Sequence, residues 1–169
     1  GHDVSSFQRM TFRVNSDHKL YDNKLRMGQH LTFTNTNSTG VGEGGLYRES
    51  PIRAAMGTTP FLPMYDDAGN FLNNTSGKST WNGKTWTPWD PGEANPYASL
   101  FMGESHSNNQ KLFGDIYAEL EPIKGLKIKT LFGIDTYNST SRSFKPVYQL
   151  SMYTYNNNDY ATQSLSRGL

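Results

Sequence analysis

Four stretches of this chain alternate apolar and polar residues with a period of two. In the first, Met10, Phe12 and Val14 interleave with Arg9, Thr11, Arg13 and Asn15; in the second, Leu25, Met27, Leu31 and Phe33 interleave with Arg26, Gly28, His30 and Thr32. Successive side chains of a strand point to opposite faces, so each stretch reads as a β-strand with one apolar and one charged side. The polar run 16–23 between them is a short connection, which makes strands at about 7–15 and 24–34 a hairpin. The rhythm returns where Lys111, Phe113, Asp115, Tyr117 and Glu119 alternate with Leu112, Gly114, Ile116, Ala118 and Leu120. After the turn Glu121-Pro-Ile-Lys-Gly125, Leu126, Ile128, Thr130, Phe132 and Ile134 alternate with Lys127, Lys129, Gly133 and Asp135. A second hairpin is therefore expected, with strands at about 110–121 and 126–137.

Between the hairpins lies a connection spanning about 35–109, far beyond the usual ~4–6 residues. It opens with a Gly- and Asn-rich run, and Pro51 suits the first turn of a short helix within 47–56. Pro60 and Pro63 hold an extended run before an Asp-Ala-Gly-Asn turn at 67–70, and a Gly-, Asn- and Trp-rich stretch follows. Beyond Asn138 the polar character resumes; Phe144, Val147 and Tyr148 mark a further extended segment, and the tail carries no evident final strand.

Strands of about 9–11 residues suit a bilayer crossed at barrel tilt, whereas soluble strands more often run about 5–6. Connections that alternate short and long match the short periplasmic turns and long outer loops of outer-membrane barrels. The expected fold class is all-β: an antiparallel transmembrane β-barrel segment of about four strands in two hairpins, with one long extracellular loop. Composition supports this. Hydrophobic residues make up only 34% and aromatics 13%, as expected where every second strand residue is apolar and the loops are polar. The ring content and the alternation argue against disorder. The net charge of +1 comes without a basic run, so nucleic acid is not an expected partner. There is no cysteine, hence no disulfide frame and no thiolate site. The chain reads as a piece of something longer.

The segments Phe7-Gln-Arg-Met-Thr-Phe-Arg-Val-Asn15, Leu25-Arg-Met-Gly28, Pro63-Met-Tyr-Asp-Asp-Ala-Gly69, Asn95-Pro-Tyr-Ala98, Leu112-Phe-Gly-Asp-Ile-Tyr-Ala-Glu-Leu120 and Gly125-Leu-Lys-Ile-Lys129 together resemble the barrel of SusC/RagA-type TonB-dependent transporters. The resemblance runs over about residues 5–135 in the expected order. It implies a 22-stranded barrel of the cell outer membrane with an N-terminal plug, contributed by the rest of such a chain. It implies as partners a SusD-like surface lipoprotein acting as a lid, TonB, and oligosaccharide or peptide cargo, with outer-membrane lipid around the wall.

Candidate chemistry is sparse. His2, His18, His30 and His106 lack metal-ligand spacing. Asp66, Asp67 and Asn70 fall short of a calcium loop and read as a turn. Gly77-Lys78-Ser79 lacks the phosphate-loop glycine, Leu72 standing in its place. Glu49, Asp90 and Glu93 form no evident catalytic pair. Neither an enzyme nor a cofactor or metal is expected. Asn37, Asn73, Asn74 and Asn138 begin glycosylation-type triplets, which imply exposure. Trp81, Trp86 and Trp89, with Tyr97 nearby, are the candidate contact residues for substrate or partner, with Asn82 or Asp90 as hydroxyl ligands. Their rings suit a sugar face or a protein interface; equally, they suit a small core within the loop itself.

On the strands, Arg9, Arg13, Arg26, His30, Lys111, Asp115, Tyr117, Glu119, Lys127 and Lys129 are expected to face a lumen, because Arg or Lys on a lipid face costs about 2–4 kcal/mol at mid-membrane. Tyr21 and Tyr137 are candidates for the aromatic girdles. A solvated face on a soluble sheet produces the same alternation, so the rival reading is a secreted carbohydrate-binding β-module using the Trp cluster. A structural surface or fibre protein is a third.

Overall fold

The computed structural model describes residues 5–40, 50–75, 77–87 and 92–169. Its long strands are β1 (Ser6–Leu20), β2 (Leu25–Gly40), β5 (Glu104–Ile123), β6 (Leu126–Lys145) and β9 (Tyr160–Gly168). Smaller elements are α1 (Pro51–Gly57), β3 (Thr80–Trp81), β4 (Lys84–Thr85), α2 (Pro96–Ser99), β7 (Tyr148–Gln149) and β8 (Tyr155–Asn156). The protein is all-β in class. Two compact units divide it: residues 7–38, 107–141 and 164–169 form one, and residues 39–106 and 142–163, together with the N-terminal 1–6, form the other.

The five long strands form one sheet in the order β1-β2-β5-β6-β9. Side chains pair across it with opposite index trends, as antiparallel strands require: Thr11 with Thr34 and Arg13 with Thr32, then Thr39 with His106 and His30 with Asp115, then Ser143 with Thr162 and Ser141 with Ser164. Both expected hairpins are present, and the helix starting at Pro51 is α1.

The sheet exceeds the expectation in two ways. β1 runs on through 16–20, so its connection to β2 is only residues 21–24, closed by the Lys24 N–H donating to the Tyr21 carbonyl at 3.0 Å. β2, β5 and β6 likewise extend past the apolar stretches, over Asn-, Ser- and Thr-rich sequence. The tail, expected to lack a final strand, supplies β9, which makes five sheet strands rather than about four. The reason is the same throughout. Backbone pairing needs no apolar side chains, and hydroxyls and amides bridge the strands instead, as in the Ser141–Ser164 and Ser143–Thr162 bonds.

Glycines let rings lie across the sheet. A Cβ on Gly28 would stand 2.5 Å from Cε1 of Tyr117, and one on Gly168 would clash with the Tyr137 ring. Each Tyr thus covers a glycine on the neighbouring strand, a pairing that shields backbone a missing side chain would leave bare. Tyr137 lies within β6, two residues from Asp135. That puts it on the charged side, where it cannot serve an outward aromatic girdle.

The other unit has its own small core. Ala94, Ala98 and Leu150 are buried, with Phe71, Met102 and Tyr148 packed against them; Leu72 is also fully enclosed. Asn95 ties the strands of chain around it. Its side-chain amide donates to the carbonyls of Met64 (2.9 Å) and Leu72 (3.3 Å), while its carbonyl oxygen accepts from the Tyr97 and Ala98 N–H groups. Those last two bonds cap α2. Asn74 is buried as well, its Nδ2 donating to the Glu93 carbonyl at 2.6 Å. Exposure, implied by its glycosylation-type triplet, is wrong for this residue: the amide replaces a backbone partner inside the loop.

Candidate functional site

Two surfaces carry the chemistry, one in each unit. The first is a charged face of the sheet. His30 Nδ1 lies 3.1 Å from Asp115 Oδ1, and Lys111 Nζ lies 3.2 Å from Asp135 Oδ1. Lys127 reaches Glu119 at 3.8 Å, and the Arg13 Nε donates to Thr32 Oγ1 at 3.3 Å. The Tyr117 hydroxyl bonds to Asp17, the His30 ring stacks parallel to the Tyr117 ring at 5.9 Å, and Lys129 Nζ sits 5.2 Å from the Tyr117 ring centre. These contacts place the expected charged set on one side of β1, β2, β5 and β6. Arg9 and Arg26 share that side by alternation along β1 and β2. Asp17 and Asp135, which complete two of the pairs, were absent from the expected set. Asp17 fell in a stretch read as connection.

The opposite side is apolar and open. Met10, Phe12, Ile128 and Phe132 are 64%, 66%, 53% and 64% exposed. These residues fill no dry interior. The apolar run on this side stops at Phe33, Leu112 and Ile134, and Asn35, Gln110 and Thr136 come next along the respective strands. Asn108 Nδ2 then bonds to Asn35 Oδ1 (2.9 Å) and Asn37 Oδ1 (2.5 Å), so amides border the apolar field.

The second surface belongs to the long connection. Tyr97 packs edge-on to Tyr65 (6.0 Å), Phe71 (5.9 Å) and Phe101 (5.2 Å), so it serves the loop core. A hydrogen bond with Tyr97, and partial desolvation, hold the Tyr65 phenol above its ordinary range. Trp81 and Trp86 meet at right angles, 6.1 Å between ring centres and 83° between planes. Trp81 is 42% exposed. Trp89 and Asp90, like Glu49, lie outside the described residues. The structure thus separates the expected aromatic set, with Tyr97 in a core and the Trp81–Trp86 pair on a surface.

The turn carboxylates are used locally. Asp66 Oδ1 accepts from the Ala68 and Asn70 N–H groups, and Asp67 accepts from Asn82 and Gly83. Ser79 is buried, accepting the Asn73 N–H at 2.9 Å, which is a packing role. Among the described residues no group of three or more His, Asp or Glu side chains is arranged to hold a metal ion.

The fold and these surfaces define an all-β protein with an antiparallel sheet that is apolar on one side and ion-paired on the other. No family model matches the chain, and no curated protein matches it in sequence.

Proposed function

We propose that this sheet is part of the wall of an outer-membrane β-barrel, in a TonB-dependent nutrient importer of SusC/RagA type. The apolar side meets lipid. The charged side lines a passage for oligosaccharides or peptides. The long connection stands outside the cell and meets a SusD-like lid, and TonB acts through other parts of the protein. The chain performs no chemistry in this reading; it supplies a polar path through an apolar layer.

The observation that carries the reading is the two-sidedness of the sheet. Charged and ion-paired residues occupy one side of four strands, and the opposite side is an exposed apolar field that ends in amides. From Leu25 to Phe33, Leu112 to Leu120 and Leu126 to Ile134 the apolar stretches are nine positions long, close to the about 9–11 that cross a bilayer. No helix of the described residues is long and apolar enough to cross a membrane.

The chain has no cysteine, so single cysteines can report position after reconstitution in vesicles. Fluorophores at Ile116 and Ile128 should be quenched by lipid-borne nitroxides, and those at Asp115 and Lys129 by aqueous iodide. Equal access of iodide to all four sites would overturn the reading. So would a monodisperse monomer in plain buffer that unfolds cooperatively, which is the behaviour of the soluble carbohydrate-binding module.

A further inference from the structure

We propose that the β3–β4 hairpin is a preformed saccharide-binding element, in which the exposed indole of Trp81 stacks on a pyranose ring and Asp67 holds the turn that presents it. The hairpin is minimal. Thr80 pairs with Thr85 and Trp81 with Lys84, across a turn of Asn82 (φ 52°) and Gly83 (φ 69°). Two positive φ values in an Asn-Gly pair are the tight turn that suits antiparallel strands. Two-stranded ribbons are marginal in water, and this one has only two residues per strand.

Asp67 supplies what the ribbon lacks. Its Oδ1 accepts the Asn82 N–H at 2.9 Å and its Oδ2 the Gly83 N–H at 2.8 Å, and its own N–H donates to the Thr80 carbonyl at 2.9 Å. One residue therefore clamps both turn amides and one strand. The Trp86 N–H donating to the Ser79 carbonyl at 2.8 Å continues the ladder, so Trp81, Lys84 and Trp86 project from the same side.

The two indoles make a corner. Trp86 is half-buried, its ring N–H enclosed without a partner, and forms the fixed wall; Trp81 forms the open one. A pyranose has a flat C–H face for the open wall and hydroxyls on its rim. The exposed Asn82 of the turn and Lys84, on the same side as the indoles, offer polar groups to that rim. A stable protein interface buries about 1,200–2,000 Å² around a fully desolvated centre. One exposed indole ringed by polar side chains matches a small polar ligand better. Because the clamp fixes the hairpin beforehand, little ordering is lost on binding. The element consists of Asp67 and residues 79–86 alone, so its binding does not depend on whether the sheet meets lipid or water.

The test is a tryptophan-fluorescence titration of the full chain in detergent with three probes: a β-1,4-linked glucose hexasaccharide, an α-1,4-linked one, and an oligogalacturonate. At least one should shift the emission saturably. Trp81→Ala should weaken that ligand about tenfold or more, the scale of one lost aromatic contact, while Trp81→Tyr retains most of the affinity. Asp67→Ala should also weaken it, with the far-ultraviolet strand signal unchanged. Hydrogen exchange at Asn82 and Gly83 checks the hairpin independently, since both amides should be protected in the free protein. Unprotected amides, a response to none of the three probes, or binding that Trp81→Ala leaves intact would each overturn the proposal.

Discussion

Single residues here act mainly by filling or satisfying what neighbouring backbone leaves open. Gly28 is required because the Tyr117 ring, the Asp17 carboxylate and the Ser16 carbonyl occupy the space a Cβ would take, at 2.5, 2.7 and 2.7 Å. Gly28→Ala should cost about 1–3 kcal/mol as an overpacking change, and Tyr117→Ala in the same background should relieve part of it. Thermal unfolding in detergent for the two single variants and the double one would reveal that coupling; strict additivity would refute it. Asn95 is the corresponding residue of the loop unit. Replacing it with Ala removes the Leu72 carbonyl's amide donor and the acceptor of two α2 N–H groups, at about 1–3 kcal/mol for each group left buried, while the Met64 carbonyl keeps the Leu72 N–H at 3.0 Å. Hydrogen exchange should quicken across 64–102, with the hairpin amides near Tyr117 unchanged. Neither role was legible beforehand. Asn95 was visible in the sequence only as part of a resemblance, because what it bonds to lies 23 and 31 residues away.

Elements were legible where side chains sort by face and illegible where they do not. Met10 to Val14 and Leu126 to Ile134 announce strands because one side must avoid water. Tyr160 to Gly168 contains Thr162, Gln163, Ser164 and Ser166, polar on both sides, so its period vanishes although its backbone pairs with β6. The ends of β2, β5 and β6 were missed for that reason too. Turns show a different kind of signal. In the β1–β2 turn, Tyr21, Asp22 and Asn23 all take positive φ, at 52°, 57° and 69°. Asp and Asn tolerate that region, whereas a bulky residue pays strain of about 1–3 kcal/mol. Tyr21→Gly should therefore raise the melting temperature of the detergent-solubilised protein. A fall would mean that the exposed Tyr21 ring makes a contact worth more than the strain.

For the molecule as a whole, function was legible only as far as the two-sided pattern. Most of the charged side could be named from sequence, Asp17 and Asp135 excepted, and the His30–Asp115, Lys111–Asp135, Lys127–Glu119 and Arg13–Thr32 contacts follow from placing those strands side by side. The surface division of the long connection was not legible, because whether a ring packs inward like Tyr97 or outward like Trp81 depends on tertiary neighbours. If the apolar side meets lipid, charge should be tolerated on one side of a strand and rejected on the other. Ile116→Arg should lower insertion into vesicles by about 2–4 kcal/mol, whereas Asp115→Asn, one residue away, should leave insertion unchanged. Flotation on a density gradient reads both, and equal behaviour of the two variants would remove the membrane from the account.

If the apolar side meets lipid, as proposed, the amide border at Asn35, Asn37 and Asn108 would also fix a waterline. A wall marked at that level resists bobbing: one step deeper drowns amides in oil, and one step higher beaches Phe33 and Leu112. Such a hull would have a preferred draught, and would sit most comfortably in a bilayer whose thickness matches nine residues of slanted strand.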